Sequence, residues 1–414
     1  MRLSLSIAFV VAMAPCRLFA DLAQQHMSHQ RLVIPGGRSA LLGGAYTALS
    51  DDPSGSYYNP AGLSFAKNNE ITVNSWIQDA SEVVFKGAVN GEDFHEESAT
   101  RYASFVGGIF KHGIFTGGYS VVALDNRNIN QNDTFSGISD QPGFTSDFKR
   151  VHQESNKYDL MGGSAAVRLG MLSIGSSAFY YIRTIEAMDY QLVQNVGGSG
   201  RVIESKYKVN NTGLVNVTGM TLRGSEMAVG LSYRSAFNQS NNSDFNYESV
   251  GYETDKAPTH TSITSTNTHI YDEIIPATLQ IGAAWFPSPL FLVSADVLHH
   301  DGVKTDGTSP ERISTFNYSL GFESAFSFVK LAVGTFSNFT MFKRIVDGGT
   351  NQPAHIDYYG YTGGLTVATK SQEATFGFVQ QEGKGEAQIV LNSTDVQKVE
   401  AGSKVYLVSW RLKL

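Results

Sequence analysis

Cysteine is all but missing from this chain, and the place of the single one removes it from the argument. Cys16 lies in an N-terminal stretch with a basic Arg2, an apolar run over residues 3–14 and a small-residue end at Ala20, the pattern of a secretory signal cleaved before Asp21. The mature chain is then expected to hold no thiol, disulfide or cysteine-bound metal, so hydrogen bonds and packing must carry its scaffold. Proline directly before Cys16 is a poor fit to a lipid-attachment box. Long apolar runs are lacking too: beyond Ala20 nothing approaches the roughly 18 consecutive apolar residues of a membrane helix. Charge is sparse, at 17% of 414 residues with a net of -7. No basic run exists to meet nucleic acid or an anionic lipid surface, so neither is expected as a partner.

What the chain does have is glycine, 41 residues, 11% aromatics, and a period of two. In 226–236, Met227, Val229, Leu231 and Tyr233 alternate with Ala228, Gly230, Ser232 and Arg234, as the lipid and lumen faces of a barrel strand must. Ile275, Ala277, Leu279, Ile281, Ala283 and Trp285 oppose Thr278, Gln280 and Gly282. Phe316, Tyr318, Leu320 and Phe322 oppose Asn317, Ser319 and Glu323, and Tyr406, Val408, Trp410, Leu412 and Leu414 oppose Ser409, Arg411 and Lys413. A soluble sandwich alternates in the same way, but the connections discriminate. Tight ones at 111–113, Gly170, 223–225, 287–289, 324–327 and 370–372 alternate with long polar stretches, roughly 125–155, 187–200, 238–267, 301–311, 341–354 and 382–402. Short turns on one side and long loops on the other are the habit of outer-membrane barrels. Threading strands from Ile71 to Leu414 gives about fourteen, with 201–222 the segment whose strand count is least defined.

Ahead of the first strand runs a small-residue segment through Gly43, Gly44 and Ala45 to the acidic pair Asp51 and Asp52, then Asn59-Pro60-Ala61-Gly62-Leu63. The glycines permit close approach or unusual dihedrals, the aspartates can cap or accept turn hydrogen bonds, and Pro60 keeps Asn59 out of the helical region. This run resembles the plug of the FadL-type outer-membrane transporters of hydrophobic compounds. Gly230-Leu231-Ser232-Tyr233-Arg234-Ser235 is similar to a strand motif of that family, and 275–282, with Pro276, to its proline-containing strand. A C-terminus in Leu414, with Trp410 four residues earlier, departs from the terminal aromatic of many barrels. The resemblance implies an all-β fold: one transmembrane antiparallel barrel of about fourteen strands (71–414) with an N-terminal plug (21–70) in its lumen, behind a signal peptide (1–20). It implies transport of a hydrophobic small molecule, long-chain fatty acid by default or an aromatic hydrocarbon, with sideways release into outer-membrane lipid. Gly43, Gly44, Asp51, Asp52, Asn59, Pro60, Ala61 and Gly62 would seat or gate the plug, Arg234 would touch plug or ligand, and Pro276 would break a strand.

No chemistry competes strongly with that reading. The nucleophile, zinc, P-loop and dinucleotide motifs are all missing, so no catalytic residue, metal or cofactor is expected. His299-His300-Asp301 is the densest histidine cluster and reads as a wet strand end. Arg168, Arg234, Asp296, Glu323, Lys330 and Arg411 should face the lumen, because a basic residue at the lipid midplane costs about 2–4 kcal/mol. The alternative function is a plugged-barrel shuttle of a secretion system that binds a cargo protein's signal. An outer-membrane hydrolase would need a clustered Ser, His and acid. The oligomeric state, the exit strand and the direction of flow have no sequence signature.

Overall fold

The computed structural model describes residues 29, 33–89, 91–136, 145–265, 274–304, 311–350, 352–389 and 394–414. The expected signal peptide, its cleavage site and Cys16 lie outside the described residues.

Among the described residues, fifteen strands follow three short helical turns. The turns are α1 (Gly37–Leu41), α2 (Gly55–Tyr58) and a 3-10 helix (Pro60–Phe65); the strands are β1 (Glu70–Val89), β2 (Glu92–His112), β3 (Phe115–Ser136), β4 (Thr145–Leu169), β5 (Leu172–Asn195), β6 (Gly200–Arg223), β7 (Met227–Tyr252), β8 (Thr259–Ser265), β9 (Thr278–Ser288), β10 (Phe291–His300), β11 (Thr315–Phe326), β12 (Val329–Asn338), β13 (His355–Ala368), β14 (Gln372–Ala387) and β15 (Gln397–Lys413). All neighbours pair antiparallel, β6 pairs β7, and β15 pairs β1 from Glu70↔Lys413 upward. The ring is therefore closed. β8 is not a ring member: it pairs the distal half of β7, while β9 pairs the proximal half. That leaves fourteen strands in the wall, and the ring has no terminal edge strand.

Alternation places the side chains as the sequence implies. Met227, Val229, Leu231 and Tyr233 are 41–57% exposed on the outside, whereas Ala228, Gly230 and Ser232 are buried inside. The outward apolar belt on β7 runs over 227–237. Eleven residues at about 3.3 Å each, tilted near 40°, give about 28 Å, the height of a lipid-facing band. Tight turns close the proximal end, near Gly113, Gly170, Gly224, Pro289, Ser327 and Ser371.

The long polar stretches differ from the expectation. Most of 125–155, 187–200 and 238–267 is not loop but strand, the distal arms of β3 to β8, standing more than ten residues beyond the apolar belt. Their outward face carries Gln153, Lys157, Glu186, Lys206 and Lys208, which suits water. Residues 382–402 likewise contain the distal ends of β14 and β15, and a first distal turn near Gly91 joins β1 to β2, a connection not expected from sequence.

Candidate functional site

Residues 33–66 lie inside the ring at its proximal half. They are buried almost throughout, and their contacts are with the inward faces of the wall. Three kinds of bond hold them.

Backbone approach comes first. The wall offers glycine where the segment touches it: a Cβ on Gly175 would sit 2.6 Å from the Ala61 nitrogen, on Gly230 2.3 Å from the Thr47 carbonyl oxygen, and on Gly334 2.4 Å from the Gly43 nitrogen. These inward glycines pair across strands, as Gly175↔Gly219, Gly230↔Gly282 and Gly321↔Gly334. They form a belt of bare backbone around the segment. Gly43 and Gly44 themselves have φ of 64° and 79°, in the left-handed region that favours glycine. A Cβ on Gly62 would sit 2.4 Å from Cβ of Ser50.

Buried hydrogen bonds come second. Asn59 is extended, as the following proline requires, and its Oδ1 accepts from the Ala61 N–H at 3.2 Å, capping the 3-10 helix. Its Nδ2 faces three acceptors, the carbonyls of Thr47 and Met220 and Thr221 Oγ1, at 2.9–3.0 Å. One side chain thus ties helix, turn and β6 together. The Ala61 carbonyl accepts from Ser173 Oγ at 2.8 Å. On the opposite side, Asp296 Oδ2 accepts from the N–H groups of Tyr46 and Thr47 at 2.9 Å each, from Thr47 Oγ1 at 2.7 Å and from Gln280 Nε2 at 2.9 Å.

Ion pairs come third. Arg38 grips Glu323 with two bonds of 2.7 and 3.0 Å and donates to Asp51 at 2.9 Å. Arg223 donates to the other Asp51 oxygen at 3.0 Å. Arg411 joins Asp52 to Glu373, the latter at 3.2 Å, and Lys413 and Lys330 reach Glu373 at 2.8 and 3.5 Å. Asp52 also caps the next turn, accepting from the Ser54 N–H at 2.9 Å. The acidic pair thus meets three arginines, and Asp52 in addition caps a turn. A cavity of about 700 Å³ opens at the proximal face beside this network, lined by Arg38, Asp51, Phe65, Arg223, Glu323 and Arg411 among others. Arg234 is likewise spent on the segment: it donates to the Tyr57 hydroxyl and carbonyl at 3.0 and 2.7 Å and lies 4.0 Å over the Tyr57 ring. Arg168 lies 4.5 Å over the Phe65 ring.

Above the segment the lumen turns apolar. Trp76, Phe105, Val122, Leu124, Tyr158, Phe179 and Tyr181 belong to one buried cluster with Val33, Ile34, Tyr57 and Tyr58. Higher still, the arms pack Ile185, Ile203, Tyr207, Phe245 and Tyr247 against one another on the inside, and a groove of about 620 Å³ on their outward face is lined by Gln153, Glu186, Lys206 and Lys208 among others. Further out along the same arms sits a buried charge cluster. Arg150 donates to Asp189 at 2.6–2.7 Å, and His152 lies 3.2 Å from Asp189 and 3.7 Å from Glu154. Burial alone would lower the His152 pKa, but its bonds to Asp189 and Glu154 raise it to about 9. Burial pushes Asp189 up, and Arg150 and His152 more than offset this, leaving it at about 2. This cluster had no sequence signature.

The ladder is interrupted at two places. Between β2 and β3 pairing stops at Phe105↔Val122, although both strands continue, and β3 shifts register between Ala123 and Asp125. Between β7 and β9 it stops at Arg234↔Thr278 and resumes with β8 at Phe245↔Ser265. Pro276 lies at this second break, buried in the run 274–277 just before β9. Arg312 donates to the Ile274 carbonyl, and the Asp301 N–H to that of Ala277 at 2.9 Å, so the run is tied to its neighbours. His299 and His300 part company: His299 packs against Phe316 with ring centroids 4.6 Å apart and planes tilted by 42°, while His300 turns inward to Thr278 Oγ1 at 2.9 Å. Among the described residues no group of three or more His, Cys, Asp or Glu is placed to hold a metal.

No family model and no curated protein matches the sequence. Solved structures do match the fold. A Pseudomonas aeruginosa FadL homologue aligns over 91% of this chain and 98% of its own, with a TM-score of 0.59 at 11% identity. The Pseudomonas putida toluene transporter TodX aligns over 91% and 97%, at 0.60 and 13%, and the Ralstonia pickettii toluene transporter TbuX over 92% and 98%, at 0.58 and 13%. The alignments run along nearly the whole of each chain, and the protein thus has the fold of the FadL-type and toluene-transporter barrels.

Proposed function

We propose that this protein carries hydrophobic small molecules across an outer membrane, with residues 33–66 as a plug that denies the axial path. One observation supports this most: the proximal lumen is filled by a segment bonded to the wall on all sides, while the lumen above it is lined by aromatic and aliphatic side chains. A polar solute finds no water path past the plug. An apolar one finds an aromatic lining above the plug and, at the same level, a wall whose ladder is open between β2 and β3. Phe105, Val122 and Leu124 flank that opening. Sideways release there into the outer leaflet is the route we favour over Pro276, whose run is tied to the β10–β11 side by the bonds of Arg312 and Asp301.

The solved structures of similar fold include toluene transporters. For this chain, Arg38, Arg223, Arg234 and Arg411 all bond plug or wall, so none awaits a carboxylate. That favours an uncharged ligand, a monoaromatic hydrocarbon, over the long-chain fatty acid expected first. The test is uptake of radiolabelled toluene and oleate by cells making the protein, with mass spectrometry of molecules co-purifying in mild detergent. Toluene uptake above that of cells lacking the protein is expected. Uptake of neither, with a co-purified protein partner instead, would replace transport by the shuttle reading.

A further inference from the structure

Above Phe105↔Val122 the distal arms of β2 and β3 run side by side without a ladder, each hydrogen-bonded only to its other neighbour, β1 or β4. A wall slit would be expected to gape, because its rims are rows of unpaired strand groups. Instead it is closed at its far end by side chains. The Gln131 amide reaches from β3 to β2, donating from Nε2 to the His95 carbonyl and accepting at Oε1 from the Glu97 N–H at 3.2 Å. Those two groups flank Glu96 on one strand edge, and an antiparallel partner would satisfy the same pair with its own backbone. Gln131 therefore supplies one rung of ladder from a side chain. On the lumen side Phe94 meets Phe135 at 6.2 Å, and Arg150 of β4 lies 5.3 Å over the Phe94 ring and 4.0 Å from Glu96.

We propose that Gln131 is the clasp of this slit: it fixes the upper end of an opening whose lower end is fixed by the Phe105↔Val122 rung, and its release lets the two arms part. The clasp rests on the lateral-release reading for its purpose, though not for its structure. A rung made by one exposed amide opens far more readily than a continuous ladder, because water competes for both of its bonds. The slit is thus held, not sealed. Its rims carry Leu124 and Val122 low down and polar groups above, so parting widens the passage where an apolar molecule would leave.

The test pairs a structural with a functional readout on the whole protein in outer-membrane vesicles. Gln131→Leu keeps the size and removes both bonds; Gln131→Glu keeps the acceptor for Glu97 but loses the donor. Amide hydrogen exchange over 92–104 should rise about tenfold in Gln131→Leu and less in Gln131→Glu, with 105–122 unchanged. Gln153→Leu is the control, since Gln153 bonds Asn130 at 3.3 Å across strands that are fully laddered; it should change nothing. Entry of the uncharged fluorophore N-phenyl-1-naphthylamine should quicken in the order parent, Glu, Leu. Unchanged exchange in both Gln131 variants overturns the clasp, whatever the fluorophore does. Raised exchange with unchanged entry leaves the clasp standing and overturns lateral release through this slit.

Discussion

At the scale of single residues, the plug is held by groups that cannot be exchanged for near relatives. Asn59 uses both ends of its amide, and in Asn59→Ala three acceptors and the Ala61 N–H lose their partner at once. A cost of about 1–3 kcal/mol is expected for buried groups left unpaired, falling on the plug's seating rather than on the barrel. Gly230→Val is harsher, since its Cβ would lie 2.3 Å from the Thr47 oxygen and backbone cannot yield as a flexible side chain does. The segment should leave the lumen, and planar-bilayer recordings should change from closed to conducting; a Gly230→Val protein as silent as the parent would refute the belt's role. Some of this was readable in the sequence. Asp51, Asp52, Asn59 and Arg234 stand in recognisable runs, and Asp296, Glu323 and Arg411 declare themselves by facing the wrong way for lipid. The partnerships were not readable: Asp296 accepts from residues 249 and 250 positions away, and no local pattern links them. The glycine belt was visible as inward glycines in alternating strands, but only the register shows that they line up.

At the scale of elements, the apolar belt was legible and the arms were not, for one physical reason. Within the belt the outward residues are mostly apolar, so the period of two is plain. Beyond it the outward face meets water, and the inward face carries Arg150, His152, Glu154 and Asp189 beside Ile185 and Ile203. Polar residues on both faces erase the alternation, and strands then look like loops. The same cluster makes the arms sensitive to pH. His152 is raised from 6.5 to about 9, so its contribution is complete below pH 6.5 and is lost as pH rises through 9. Asp189 is lowered from 3.8 to about 2, so its contribution is complete above about 3.8 and is lost as pH falls through 2. Both are whole between roughly 4 and 6.5. Amide exchange in 148–158 and 183–191 should be slowest in that window and faster at pH 9, after correction for intrinsic exchange rates. His152→Gln should flatten the alkaline rise.

At the scale of the whole molecule, barrel and plug should be separable. The ring supplies its own ladder, so a chain lacking 33–66 should still migrate faster unheated than heated on denaturing gels, as a closed barrel does. It should also admit hydrophilic solutes that the parent excludes. Loss of the unheated form would mean that the plug is a core on which the barrel folds.

The Arg411–Asp52 contact has a further bearing, on assembly. It spans 359 residues, joining the final strand to the segment ahead of the first, and Glu70↔Lys413 lies beside it. The two partners stand near opposite ends of the described chain. They can therefore meet only when the seam between β1 and β15 zips shut, and loop closure over so many residues makes that step late and slow. Seating of the segment is in effect a signal of completion: a nascent barrel with an open seam has no arginine to offer Asp52, and only a finished one can be corked.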